Sequence, residues 1–426
     1  MVMVDEIGVD KNVDLYFIES IEKKQTDNNY WNVIISKAFD EERQEAKVVS
    51  VSESQLYFRQ NKTPRRIREN DYVFYDENSQ YPFSNGNSSS FARSKRAFAA
   101  NYVRKIEQQN GSRFPEVENP QNFLPDEGRW VKSYHINVGH GNCSIIVMRD
   151  KSVYTVWMID CSVIDMLANK TEKKDYSDNL ESCFAVIAND LGVDKIKISR
   201  FMLTHTHYDH YNGLKYLFDN KYVDAGTIFH INIWYGWASC SWVKVLERLC
   251  DNKCMVEEPI RNDKNVVNTI LYPDVKLRNK TTNLSAARYE PKVNNSSVVY
   301  CINMVGKSMI FPGDLEQKGL TYLNKRGLCR NHYCKVDFYC VSHHGSDNGH
   351  IVRTCDICHR TTIFSCVKKN LKYAIIMGRD NAYSGIYSKK VLSDFAGELL
   401  LSEKNNVGNK SRFFELNWNT NEVKYH

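Results

Sequence analysis

The chain has 426 residues at 49.5 kDa, 42% of them hydrophobic and 25% charged. That excludes a disordered or fibrous protein and exceeds one ordinary domain. Apolar runs such as Ser144–Met148 are strand-length, and none approaches the ~20 residues of a membrane span. The net charge of +6 is unevenly divided: residues 1–125 hold 17 basic and 19 acidic side chains, so the remainder carries +8, and all 12 histidines and 13 cysteines lie at or beyond His135.

Two units with separate chemistry are the simplest reading. Short β-runs are predicted at Val13–Ile21, Tyr30–Ser36, Lys47–Val51, Gln55–Arg59, Asp71–Tyr75 and Asn101–Ile106, broken by polar turns such as Ser84–Ser90. They suggest a small β-barrel-like domain over residues 1–110. The basic turn Arg65–Arg68 before a strand, and the basic and aromatic stretch Ser94–Val103, resemble the second half of an OB or cold-shock barrel. There such strands face single-stranded nucleic acid. The bland alternative is a solvated surface around a structural barrel. Residues 111–128, rich in proline and without periodicity, read as a linker.

From 129 to 426 strands alternate with helical stretches. Strands are predicted at Val131–Val138, Cys143–Met148, Val153–Ile159, Ile198–Thr204, Ile228–Tyr235, Ser297–Asn303, Lys307–Phe311, Asp337–Ser342 and Tyr373–Met377. Helices are predicted at Tyr176–Leu191 and from Asn212 to Phe218. This is an α/β pattern. The acidic start Met1–Asp10 lacks the basic segment of a secretory leader, and the odd, irregular cysteines favour reduced thiols, so a cytoplasmic location is expected.

The most informative stretch is Thr204-His205-Thr206-His207-Tyr208-Asp209-His210. Three histidines and an aspartate fall within six residues, directly after an apolar strand. Imidazole nitrogen and carboxylate oxygen are the ligands that zinc or manganese accepts. Chance clustering on a solvent loop is the competing explanation, and the adjacent buried strand argues against it.

His-x-His-x-Asp-His after a Leu-Thr strand resembles the metal-binding motif of the metallo-β-lactamase fold. Five further blocks match the same family. Val156–Cys161 is similar to its strand ending in aspartate, here Asp160. Met309–Asp314 is similar to the strand whose aspartate bridges two metals. Asn137-Val138-Gly139-His140-Gly141-Asn142, Asn294–Val299 and Val341–Ser346 are similar to blocks of the soluble hydrolase domain of the ComEC competence proteins. The resemblance spans 131 to about 400 and implies an αββα sandwich with two divalent ions.

It further implies that His205 and His207 hold one ion, that Asp209, His210 and His344 hold the other, and that Asp314 bridges them. His344 is preferred over His343 as the ligand. Asp209 would orient the attacking water, and His343 would protonate a leaving group or contact a phosphate. Asp160, His140, Asn142, Asn295 and Ser346 fall at substrate or supporting positions. The sequence departs from the family at Asn294-Asn295, where most members carry histidine, so one ion is expected to be held weakly. Asn142 and His140 replace an aspartate and a glutamine, and Tyr383-Ser384-Gly385-Ile386 lacks a histidine expected there.

The expected function is a metal-dependent hydrolase, a phosphodiesterase or nuclease acting on nucleic acid. Hydrolysis of small esters, phosphocholine-type substrates or lactones is the alternative within the same site chemistry. A decayed site that binds a partner is the alternative outside it. Among weaker signals, Gly306-Lys307-Ser308 reads as a hairpin turn rather than a phosphate loop. Cys329, Cys334, Cys355, Cys358 and Cys366 are weighed as a structural zinc site against buried thiols. Arg261, Lys264, Lys276, Arg278 and Lys280 are weighed as a phosphate groove against a solvated charge run. His230 reads as a core histidine, and Trp234, Trp237 and Trp242 as packing.

Overall fold

The strands Cys143–Asp150 and Val153–Cys161 are apolar at nearly every position because both of their faces are covered. Ile145, Val147, Val156 and Met158 point into one buried cluster, whereas Ile146, Met148, Trp157 and Ile159 point into another. The computed structural model describes residues 14–23, 29–39, 46–58, 65–111, 129–150, 153–165, 174–233, 237–259, 267–273, 293–325, 335–350, 362–380, 382, 386–403, 405–406 and 409–426.

These two strands lie at the centre of an eight-stranded mixed sheet. Its order is Met255–Glu257, Ile228–His230, Arg200–Met202, Val153–Cys161, Cys143–Asp150, Arg129–Ile136, Phe413–Asn417 and Val423–Tyr425. The first four strands run parallel and the rest antiparallel. A second, six-stranded sheet runs Asn268–Tyr272, Val299–Met304, Lys307–Phe311, Phe338–Cys340, Tyr373–Ile376 and Leu399–Leu401. The inner faces share one core, in which Ile146, Met148 and Trp157 meet Ile302, Met309 and Phe338. Helices Ser177–Leu191 and Cys240–Asp251 back the first sheet, and the buried Leu320 and Leu323 of helix Gln317–Lys325 back the second. The layers therefore run helix, sheet, sheet, helix, the expected αββα order.

Between Val299–Met304 and Lys307–Phe311 the turn residues Val305 and Gly306 have φ of 45° and 70°. Two consecutive positive φ values make this a type I′ hairpin, so Gly306-Lys307-Ser308 is a turn. His230 is buried beside Arg200 and Glu257, and Trp237 and Trp242 are fully buried.

The front segment corrects two expectations. Its strands, Ala46–Ser52, Tyr30–Lys37, Leu15–Lys23, Tyr72–Tyr75 and Phe83–Asn85, form an open antiparallel sheet, with no closed barrel among the described residues. Asn101–Ile106 is not a strand: it lies within the helix Ser90–Gly111. The buried residues Ala92, Ala99 and Ile106 recur every seven positions, which is helical spacing that a six-residue window conceals. The basic and aromatic stretch Ser94–Val103 therefore lies on a helix and not on a barrel strand.

That helix packs on Cys240–Asp251, where the Tyr102 hydroxyl donates to Glu247 at 2.9 Å and the Gln109 amide to the Cys250 carbonyl at 3.1 Å. The sheet has a small core of its own around Tyr16, Ile18, Val33 and Phe58. Its other face joins the second half: the Phe17 ring stands edge-on to Tyr72 and Trp237 at 5.2 and 4.8 Å, and the Tyr72 hydroxyl donates to the Ala238 carbonyl at 2.6 Å.

Residues Met1–Asp10, 112–128 of the expected linker, Trp234, the cluster Arg261 to Lys280, Cys329, Cys334, Cys355, Cys358 and Tyr383-Ser384-Gly385 lie outside the described residues. Nine described cysteines, Cys366 among them, are buried, and no disulfide forms among the described residues. No described helix is long and apolar enough to cross a membrane. Phe17 is 1% exposed at the seam between the front sheet and the second half. Phe17→Ala is expected to destabilise the protein by roughly 3–5 kcal/mol, read as a lower urea midpoint. An unchanged midpoint would show that the seam is not cooperative with the core.

Candidate metal centre

Every predicted ligand leaves the sheets at the same edge. Strand Arg200–Met202 delivers His205, His207 and, through the single-turn helix Tyr208–Tyr211, Asp209 and His210. Lys307–Phe311 delivers Asp314, and Phe338–Cys340 delivers His343 and His344. Loops beyond the carboxyl ends of parallel strands are where α/β sheets gather their ligands.

Close backbone approach requires glycine at two of these turns. Gly313 has φ of 56°, and a Cβ there would lie 2.6 Å from the Thr204 Cβ. Gly141 has φ of 145°, and its Cβ would lie 2.7 Å from the Asp209 carbonyl. Asp160, His343 and His344 also adopt positive φ, at 53°, 51° and 50°. Such residues cost about 1–3 kcal/mol each and persist only where the surroundings over-determine them.

Those surroundings are visible at each residue. Asp160 accepts the Thr204 N–H on Oδ1 at 2.7 Å, and on Oδ2 the Thr204 hydroxyl at 2.8 Å and His210 Nδ1–H at 2.7 Å. This places the His210 lone pair on Nε2, facing Asp314 Oδ1 at 3.3 Å and Asp209 Oδ2 at 3.8 Å. His344 donates Nδ1–H to the Met377 carbonyl at 3.0 Å, and its Nε2 faces Asp209 at 3.2 Å and Asp314 at 3.4 Å. His205 Nε2 lies 3.0 Å from His207 Nδ1 and 4.0 Å from Asp314 Oδ2.

Two donor groups result: Asp209, His210, Asp314 and His344, and His205, His207 and Asp314. In each, the ligand atoms lie within 4.8 Å of one another. His210 Nε2, His344 Nε2 and Asp314 Oδ1 are buried and make no hydrogen bond of acceptable geometry. Convergent, buried imidazole lone pairs and a carboxylate oxygen fit a divalent cation.

The electrostatics point the same way. Burial alone would lower the His344 ring, but Asp314 and Asp209 outweigh it and hold the ring up at about 10. His210 is raised well above the ordinary histidine range, because Asp314, Asp160 and Asp209 overcome its desolvation. Burial, followed by the neighbouring His210 and His207, holds His205 well below that range and so neutral. The carboxylates therefore attract positive charge into the site, and His205 presents a free-base nitrogen.

The remaining predicted residues divide into two sets. His140 Nε2 reaches Asp209 Oδ2 at 3.3 Å, and its ring lies 4.5 Å from that of His344. Asn142 donates its backbone N–H to the Asp209 carbonyl at 3.1 Å. Asn295 faces away: its amide donates to Glu316 at 3.1 Å and its Oδ1 accepts the Gly319 N–H at 3.2 Å. Ser346 braces Asn348. His343 is buried: it donates Nδ1–H to Asn348 at 2.8 Å, and its Nε2 lies 3.4 Å from the Asn294 amide and 3.9 Å from Asp314.

Sequence reasoning missed Glu316 and Asn348. Glu316 gathers the amides of Asn294, Asn295 and Asn348. A carboxylate two residues past Asp314, within Phe311-Pro312-Gly313-Asp314-Leu315-Glu316, was the available signal.

No protein-family model and no curated protein matches the chain. Solved structures similar to it include the metallo-β-lactamase fold protein YhfI from Bacillus subtilis, at TM-score 0.33 and 11% identity, covering 64% of this chain and 96% of that one. Another is a diphosphatase from the PhnP family, at 0.34 and 9%, covering 68% and 98%. A third is a putative zinc-dependent hydrolase of the metallo-β-lactamase superfamily from Thermotoga maritima, at 0.26 and 10%, covering 62% and 84%. At these TM-scores the likeness decides nothing about chemistry, which rests on the site's own geometry.

Asp160→Asn keeps the shape but removes the charge that orients His210. It is expected to weaken manganese or zinc binding about 10- to 100-fold in a competition titration. Metal binding near pH 7.5 should release at least one proton, because His344 stays protonated below about 10 without an ion. Calorimetry in two buffers of different ionisation enthalpy reads that proton directly. Zero release would show that the ring binds no metal.

Proposed function

We propose that this protein is a metal-dependent hydrolase of phosphoesters, with nucleic-acid phosphodiesters as its preferred substrates. The observation that carries the reading is the convergence of six buried or nearly buried His and Asp side chains into two donor groups sharing Asp314. Two divalent ions bound there, zinc or manganese by donor chemistry, supply a water of lowered pKa and neutralise phosphoryl charge. The three-donor group would hold its ion more weakly than the four-donor group.

Within that frame the chain's own residues have distinct tasks. Asp209, the partly exposed ligand, orients the attacking water and accepts its proton. His343, buried and held through Nδ1 by Asn348, would as the imidazolium hand its Nε2 proton to the leaving oxygen. Asp160 and the Met377 carbonyl fix the tautomers of His210 and His344.

Support for a polyanionic substrate comes from the far side of helix Tyr208–Tyr211. A cavity of about 480 Å³ there is lined by Tyr208, Tyr211, Lys215, Lys244 and Arg248. Asp219 pairs with Lys215 and Arg248, and Glu247 pairs with Lys244, so three cations face two carboxylates and one positive charge remains. A tyrosine-walled basic recess next to the ligand-bearing turn suits a phosphodiester backbone.

Purified protein with manganese or zinc is to be offered single- and double-stranded DNA, RNA, bis(p-nitrophenyl) phosphate and carboxylic esters. Nucleic-acid cleavage is expected, and Asp314→Ala should lower it by on the order of a thousandfold. Ester cleavage with every nucleic acid intact would replace this reading with a small-ester hydrolase. Arg248→Ala with Lys215→Ala should slow nucleic-acid cleavage and flatten its salt dependence, leaving bis(p-nitrophenyl) phosphate turnover unchanged.

A further inference from the structure

Leu15 and Phe17 of strand Leu15–Lys23 point into the core shared with the second half, whereas Tyr16 and Ile18 point into the front sheet's own core. Strand alternation then places Glu19 on the face turned to the second half. The ladder with Tyr30–Lys37 shifts at this point: Ile18 faces Ile35 and Ser20 faces Ile34, leaving Glu19 as the extra residue of a bulge. Ile21 returns to the front sheet's core. Bulges re-aim a side chain, and they recur beside active sites.

The neighbours along the strand say where Glu19 lies. Phe17 packs on Trp237, whose ring centroid is 6.0 Å from that of His207. The Ile21 N–H donates to Glu69 Oε1 at 3.3 Å, and Glu69 Oε2 accepts the Val293 N–H at 2.6 Å, immediately before Asn294. Glu19 thus stands between a contact to the His207 side of the site and a contact to the Asn294 side. It is 5% exposed. Its Oε1 accepts the Ser36 hydroxyl at 2.6 Å, and its Oε2 is buried without a hydrogen bond among the described residues. Burial pushes the carboxyl up to about 8, against the Ser36 hydrogen bond and helped by the nearby Asp209 carboxylate. The same group helps to raise Tyr211 on the ligand-bearing turn and Tyr72 on the front sheet.

We propose that Glu19 is a substrate-binding residue of the metal centre supplied by the front sheet. Its carboxyl O–H donates a hydrogen bond to a non-bridging oxygen of a phosphate ester held over the ligand cluster. The proposal rests on the phosphoester reading above. A buried carboxyl with one oxygen unmatched is costly to the fold, and a role in binding accounts for its retention. An uncharged carboxyl offers an anion a donor, whereas an aliphatic side chain there would offer nothing.

The test uses the full-length, metal-loaded protein with Glu19→Met, which keeps the volume and removes the donor, and Glu19→Gln, which keeps a donor. Inorganic phosphate binding is measured by calorimetry and bis(p-nitrophenyl) phosphate turnover by absorbance, with metal content and melting temperature alongside. Glu19→Met is expected to weaken phosphate binding and raise KM about tenfold, the loss of one hydrogen bond. Its metal content should be unchanged and its melting temperature equal or higher. Glu19→Gln should stay within about threefold of the unmodified protein, because its amide still donates. Phosphate binding by Glu19→Met at the unmodified level, or an equal loss in both variants, overturns the proposal. If the unmodified protein binds metal yet neither binds phosphate nor cleaves the diester, the phosphoester reading fails first, and the role of Glu19 falls with it.

Discussion

A carboxylate withdrawn from water must be met by donors or positive charge, and this molecule withdraws Asp160 and Asp314 almost completely and Asp209 largely at one edge of its sheets. Six histidines surround them, four of which belong to the two donor groups. Without an ion, the carboxylates raise His210 and His344 and so fill the deficit with protons. Two divalent charges would fill it better. The left-handed turns at Asp160, His343 and His344, and the glycines that let three loops touch, all serve to hold these like charges close together. The strain is offset by the two-sheet core beneath, which leaves the strand ends little freedom to relax.

The front sheet belongs to the same economy of contacts. Its own core is small, and Leu15, Phe17 and Tyr72 turn away from it into the core that Trp237 and helix Cys240–Asp251 share. Docking there stabilises the sheet and sets Phe17 against Trp237, whose ring in turn neighbours that of His207. The Glu69 carboxylate ties the strand Leu15–Lys23 to Val293, and through it to the Asn294-Asn295 turn that Glu316 gathers. A region without a single histidine or cysteine thereby shapes a site built largely of histidine.

Much of the site is legible in the sequence, because metal ligation demands specific side chains. His205, His207, Asp209 and His210 sit within six residues, and a strand before them sets their direction. Asp314 and His344 were reached by resemblance rather than spacing, since more than a hundred residues separate them from that cluster. Asn295 shows the limit of such transfer. It stands at the expected position, yet its amide serves Glu316 and Gly319 because the carboxylate of Glu316, unremarked in the sequence, needed donors. The strand expected at Asn101–Ile106 failed for a plainer reason: six residues cannot distinguish a half-buried strand from one face of a 22-residue helix.

By itself the sequence determined the alternation of strands and helices beyond residue 129, the apolar strands that must be covered on both faces, and a ligand-rich turn at a strand end. These are local: they follow from the period of apolar residues and from the chemistry of imidazole and carboxylate. Only the tertiary structure decided which nitrogen of His210 and His344 faces inward, because that depends on Asp160 and the Met377 carbonyl, distant in sequence. It also decided that the front segment is an open sheet docked against the second half rather than a separate barrel. No periodicity in the first 111 residues encodes that docking; it follows from Phe17 and Tyr72 meeting Trp237 and Ala238, and from helix Ser90–Gly111 packing on helix Cys240–Asp251, partners distant in sequence.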